Sequence, residues 1–141
     1  MRKMVFGRHL SRGRGSRIAL FRSLIRALVA SGKIVTTRAK AKAIIPLIDK
    51  LITTAKKNSL SGRRKVLSRL GNDRETTDLI FLKVLPSFSN RSSGFTRIVL
   101  LPSRPGDSAQ MARLEWSETI EMKKKAEKTK NENIPTKRKR N

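Results

Sequence analysis

Arginine and lysine are the residues with which this sequence could do chemistry: 34 of them face 10 acidic residues, one histidine and no cysteine, for a formal net charge of +24 over 141 residues. A guanidinium forks onto two oxygens of a phosphate or carboxylate, and an ammonium acts as a point charge, so the chemistry implied is anion binding. Near the amino end Arg2, Lys3, Arg8, His9, Arg12, Arg14 and Arg17 alternate with Gly7, Gly13 and Gly15. Such a backbone can follow an irregular RNA groove while each side chain reaches a phosphate, with His9 stacking on a base or bonding a phosphate. Further along, Arg22, Arg26, Arg38, Lys40 and Lys42 are candidates for a phosphate-contacting body surface. Arg63, Arg64 and Lys65 sit near the start of an expected helix, where backbone amides already attract anions. Arg91, Arg97 and Arg104 flank an expected hairpin. A chain with this surplus repels itself unless a polyanion neutralises it, and a nucleic-acid backbone is the commonest such surface.

The same residue types argue against other chemistries. His9 has no partner of suitable type nearby, and hydrolysis by a nuclease needs convergent carboxylates or an oriented histidine. Glu115, Glu118 and Glu121 are grouped, but beside basic residues that they would offset. No enzyme, cofactor, metal site or small-molecule substrate is expected. No run of about 18 apolar residues suits a membrane span, and no leader pattern is visible, so no membrane partner is expected and the cytoplasm is the default location. The basic cluster Lys137-Arg138-Lys139-Arg140 and the sequon Asn90-Arg91-Ser92 are too short to carry a function alone.

These charges need a scaffold, and their layout suggests one domain with two extensions. Residues 1–17 hold six basic residues and no acid, and residues 123–141 hold nine basic residues against Glu127 and Glu132. We therefore divide the chain into a basic arm at 1–15, a binding domain at 16–118 and a basic, disordered tail at 119–141. Ser16 as N-cap and Gly32 as stop bracket Ile18, Phe21, Leu24, Ile25 and Leu28 at helical spacing. Lys33 to Thr37 is β-branched and reads as a short strand. Ala41, Ile44, Ile45, Ile48, Leu51, Ile52 and Ala55 predict a second helix over 38–57, with Pro46 forcing a kink or a split into two. Ser61 would cap a third helix ending near Gly71, and Asp73 to Leu85 a fourth, stopped by Pro86.

After a polar loop, Thr96 to Leu101 is strongly β-like, and Pro105-Gly106-Asp107 supplies a turn before Ala109 to Ser117. There Ala112, Leu114 and Trp116 alternate with Arg113 and Glu115, the pattern of a half-buried strand that places Trp116 in the core. Phe95 is open to either core packing or outward stacking. Gly106 needs only turn chemistry, whereas Gly94 could allow close approach of RNA. The fold expected is α+β: a two-layer α/β domain with about four helices packed on a small three-stranded sheet that includes the C-terminal hairpin.

Several ordered motifs resemble the family of bacterial large-subunit ribosomal protein number seventeen. They run from Gly7-Arg8 through Ala19-Leu20-Phe21-Arg22 and Thr36-Thr37-Arg38-Ala39-Lys40-Ala41 to Leu51-Ile52-Thr53-Thr54-Ala55-Lys56. Gly94-Phe95-Thr96-Arg97-Ile98 and Arg104-Pro105-Gly106-Asp107-Ser108-Ala109 follow, with Met111-Ala112 in place after them. The resemblance covers about residues 1–118; the tail has no counterpart, and Arg12-Gly13-Arg14-Gly15 is richer in glycine than the family's arm. It implies a domain bound to large-subunit ribosomal RNA near the polypeptide exit tunnel, beside neighbouring large-subunit ribosomal proteins. Because the motifs begin near Met1, a bacterial cytoplasmic ribosome is expected over an organellar one. A nucleoid-type DNA-binding protein would explain the charge equally well, but not the motifs around Gly94 and Arg104. Between the hairpin and the tail, the hairpin arginines are expected to matter more for binding, because they are oriented before contact.

Overall fold

The computed structural model describes residues 8–120. Arg2, Lys3 and all of the tail from residue 121 therefore lie outside the described residues. Helix α1 (Arg14–Ser31) buries Ile25, Leu28 and Val29 and ends where Gly32, at φ 76°, returns its N–H to the Leu28 carbonyl at 2.8 Å. Its N-cap is Gly13, not Ser16. Glycine accepts the extended cap conformation at little cost, and the preceding turn is held by Arg17, whose guanidinium reaches back to the Arg12 carbonyl at 3.4 Å. Arg14 and Arg17 are thus helical, although Arg14 had been placed in the arm.

Strand β1 (Lys33–Thr37) leads directly into α2 (Arg38–Lys56), which buries Ala41, Ile44, Ile48, Leu51, Ile52 and Ala55. Pro46 does not divide it. The carbonyl that Pro46 leaves without a donor belongs to Lys42, and both residues are exposed, so water can serve that carbonyl while Ile44 and Ile48 anchor the opposite face. Helix α3 (Leu60–Leu70) is capped by Ser59, whose hydroxyl accepts from the Gly62 N–H at 3.1 Å, rather than by Ser61. A Cβ at Gly62 would lie 3.0 Å from the Thr54 carbonyl of α2. That close crossing fixes where α3 begins.

Asp73 caps α4 (Arg74–Leu79), and the helix then continues through a π-helical turn (Ile80–Val84) into a last α-helical turn, α5 (Leu85–Ser87). Pro86, expected as a stop, lies inside this continuation. The wider turn, closed by the Leu85 N–H on the Ile80 carbonyl, provides the local adjustment by which a helix accommodates a proline.

Strands β2 (Thr96–Leu100) and β3 (Met111–Trp116) form the expected hairpin, and β1 pairs antiparallel on the other side of β3, giving the order β1-β3-β2. Helix α2 lies against all three strands. The four-helix, three-stranded, two-layer architecture expected from periodicity is the one observed. Ala112, Leu114 and Trp116 point into the core. Phe95 is also fully buried, its ring edge-on to Phe88 at 5.4 Å, with Trp116 packed on the other side of Phe88 at 5.8 Å. Outward stacking of Phe95 is therefore excluded. Each such aromatic pair adds about 0.5–1.5 kcal/mol beyond the burial of its surface.

Candidate nucleic-acid interface

The basic side chains fall into two groups, according to whether the fold gives them an internal partner. Six ion pairs occur among the described residues, and they absorb Arg26, Arg63, Arg91, Arg97, Arg104 and Arg113. Arg26 Nε meets Asp73 at 2.5 Å. Arg63 meets Asp78 at 2.5 Å and lies over the Phe81 ring at 5.3 Å. In the hairpin, Arg97 Nε donates to Glu115 at 2.6 Å, and Arg104 forks onto both oxygens of Asp107. The Arg104 fork, helped by the Ala109 N–H, pulls the Asp107 carboxyl down to about 2. Arg91 approaches Glu118 at 3.7 Å and donates to the Gly94 carbonyl at 3.2 Å. Glu115 and Glu118 therefore do offset neighbouring cations.

Arg22 is engaged without an acid. Its Nε donates to the Arg69 carbonyl at 3.0 Å, closing the end of α3. Arg22 and Arg26, expected on a phosphate-facing surface, tie α1 to the junction of α3 and α4. His9 also has a partner in the chain: its Nδ1 lies 3.0 Å from an Arg17 guanidinium nitrogen. This partner eight residues away does not follow from sequence proximity.

The second group converges. Arg8 from the arm, Thr37 at the end of β1, Arg38, Ala39 and Lys42 from α2, and Ala109 and Gln110 from the loop before β3 line one open concavity. Three sequence-distant segments thus meet at the start of α2. Helix α2 carries no acid in its first turn, and its N-cap, Thr37, makes no side-chain cap bond. The Arg38 N–H is taken by the Gln110 carbonyl at 2.9 Å, and the remaining first-turn amides and the positive end of the dipole are left to attract an anion. Arg38 is held in the concavity by Gln110, whose side-chain oxygen accepts from it at 2.9 Å. Sequence reasoning missed Gln110, because an uncharged residue 72 positions from its partner gives no local signal.

Helix α1 begins in the same manner. Its cap is Gly13 with no side-chain bond, and its first turn holds Arg14 and Arg17 without an acid. By contrast α4 begins on Asp73, capping the Thr76 N–H at 3.1 Å, with Glu75 in its first turn. Basic residues at a helix start are disfavoured by up to about 1 kcal/mol each unless an anion faces them. Among the described residues Arg8, Arg14, Lys40, Lys42 and Arg64 join no ion pair. Lys56 is structural: it donates to the Ser89 carbonyl at 3.1 Å and to that of Arg91, below the Phe95 ring.

Among the described residues no group of three or more His, Asp or Glu side chains could hold a metal ion, and no helix is long and apolar enough to cross a membrane. Comparison with known proteins points the same way as the motifs. Residues 20–117 match the model of the family described as ribosomal protein L17. The chain is 45% identical over 119 residues to the large ribosomal subunit protein bL17 of Hydrogenobaculum sp. (strain Y04AAS1), an alignment covering 84% of this chain and all of that relative. It is 41% identical over 128 residues to the protein of the same name from Thermodesulfovibrio yellowstonii, covering 91% and 96% of the two chains. A third, from Persephonella marina, is 41% identical over 119 residues, covering 84% and 96%. With the family model matching residues 20–117 and relatives matched over nearly their whole length, this chain belongs to the ribosomal protein L17 family.

Proposed function

We propose that this chain is a structural constituent of the large ribosomal subunit of bacteria that binds and braces large-subunit ribosomal RNA. Its working place is the cytoplasmic ribosome, near the polypeptide exit tunnel and beside other large-subunit proteins, and it needs no cofactor and turns over no substrate. The position near the tunnel draws on the family resemblance. The observation that carries the RNA reading is the concavity at the start of α2, lined by Arg8, Arg38 and Lys42, beside a helix start with no side-chain cap and no acid in its first turn. Such a surface fits a phosphate backbone, because donors and positive charge are placed before the anion arrives.

The internal pairing ranks the RNA contacts. Arg8, Arg14, Lys40, Lys42 and Arg64 are the primary contacts, joined by Arg2 and Lys3 of the amino end and by Arg38, which Gln110 orients; Arg12 follows them, since it donates to the Leu10 carbonyl at 2.9 Å. Arg17 and His9 hold the turn that presents them. Arg22, Arg26, Arg63, Arg91, Arg97 and Arg104 contribute only their residual field or terminal nitrogens, since each already serves a partner inside the chain.

Sedimentation tests the reading. The protein should travel with large subunits on sucrose gradients and leave only at high salt, since log K falls by about 0.7–0.9 per neutralised phosphate for each decade of salt. Recovery only in the free pool, or with chromosomal DNA, would refute it. Titration against duplex DNA and against a structured ribosomal RNA fragment separates it from the nucleoid alternative.

A further inference from the structure

Among the described residues the helices that meet the sheet pack on the face of Ala112, Leu114 and Trp116, and none covers the other face. Its side chains follow from the register. Lys33, Glu115 and Arg97 form one row across the three strands, Val35, Arg113 and Val99 form the next, and Met111 lies beyond, opposite Thr37. Val35 is 60% exposed, although valine on a sheet is ordinarily covered. The Glu115 carboxylate sits in the middle, taking Arg97 on one oxygen at 2.6 Å and Arg113 near the other at 2.9 Å. The terminal nitrogens of both guanidiniums make no bond to a described residue.

We propose that this open face is a docking surface for an acidic, partly apolar segment of a neighbouring protein in the same particle. The proposal rests on the ribosomal reading above, which supplies such neighbours. Three cations against one carboxylate leave the face positive, so its occupant carries negative charge. That excludes a second copy of this chain, at +24. It also excludes the chain's own ends as occupants, because residues 123–141 hold nine basic residues against two acids and residues 1–7 hold Arg2 and Lys3 with no acid. RNA fits less well than a protein. Sheets that read RNA offer aromatic rings for base stacking, whereas among the described residues Phe88, Phe95 and Trp116 are buried and Phe21 and Phe81 pack against the core. The Val35, Val99 and Met111 strip offers phosphates no donor. An apolar strip edged by arginines is the composition of a protein interface.

The test places a benzophenone amino acid at position 35 of the full chain, expressed in cells, and irradiates isolated large subunits. The expected product is a crosslink to another ribosomal protein, mapped to a peptide containing Asp or Glu beside apolar residues. A crosslink to RNA, or none from a protein that sediments normally, overturns the proposal. A companion variant, Val35→Glu with Arg113→Glu, should lower retention on salt-washed subunits by about tenfold while leaving affinity for the isolated RNA fragment unchanged. Equal loss in both assays also overturns it. Failure of the unmodified chain to sediment with the subunit would instead sink the ribosomal reading itself.

Discussion

Gly71 has a φ of +75°, and a Cβ there would lie 2.7 Å from a guanidinium nitrogen of Arg22. Two demands meet at one residue: the left-handed conformation that ends α3, and room for the arginine that closes its carbonyls. Gly71→Ala should cost about 1–2 kcal/mol for the backbone alone and more through displacement of Arg22. In an Arg22→Ala background the same change should cost less, and urea titration of the four proteins of this cycle measures the coupling. Additive costs would show that Arg22 does not depend on Gly71. Thr96 presents the opposite case. It is 8% exposed, and its hydroxyl makes no hydrogen bond. Thr96→Val keeps the β-branch and removes an unmet polar group, so it should raise stability by about 1 kcal/mol. Phe95→Ala, which empties a fully buried site against Phe88, should cost about 3–5 kcal/mol. A melting temperature unchanged by that substitution would contradict the core assignment.

At the scale of elements, Asp73 joins two of them. It caps α4 through the Thr76 N–H, takes the Thr76 hydroxyl at 2.6 Å and meets Arg26 of α1 at 2.5 Å. The Thr76 bonds, more than the exposed Arg26, lower its pKa from 3.8. A carboxylate whose pKa is lowered by folding adds stability that is complete above its unfolded value near 3.8 and is lost as the pH falls through the native value. Asp73→Asn keeps a capping oxygen and removes the titration. It should therefore flatten the decline in stability below pH 3.8 relative to the unchanged chain, while Asp73→Ala should cost about 1 kcal/mol at neutral pH through the cap. Denaturation at a series of pH values tests both. A decline in the Asn variant as steep as in the unchanged chain would assign the acid sensitivity to other carboxylates, Asp107 and Glu115 first.

For the molecule as a whole, the charges that fold the chain differ from those available to bind. Replacing Arg38 and Lys42 together with Ala should leave thermal unfolding nearly unchanged, weaken RNA binding and reduce the salt slope by about 1.4–1.8. Replacing Arg97 and Arg104 together should do less to the slope, because Glu115 and Asp107 already compensate them. Truncation after Glu121 should leave subunit association intact. Reversal of this order, with the truncated chain failing to assemble, would move the anchor to the tail.

Much of this was legible from one dimension. Periodicity located the helices and strands because burial of one face imposes spacings of 3.6 and 2 residues, and Trp116, Gly32 and the β2–β3 hairpin followed from such local rules. The basic surplus and the ordered motifs around Thr36, Gly94 and Arg104 indicated the binding class and the family. Errors clustered where a distant contact outweighs local preference: Ser59 rather than Ser61 begins α3 because Gly62 meets Thr54 of α2, and Pro46 and Pro86 are absorbed because solvent or a wider turn relieves them. The division of arginines into internal partners and free donors was equally invisible. Arg26 and Asp73 are 47 residues apart and Arg38 and Gln110 are 72 apart, and ion pairs depend on distances of a few ångströms that only the folded chain creates. Sequence by itself therefore determined how much positive charge this protein has to offer, and tertiary structure decided which of it, among the described residues, is left without an internal partner.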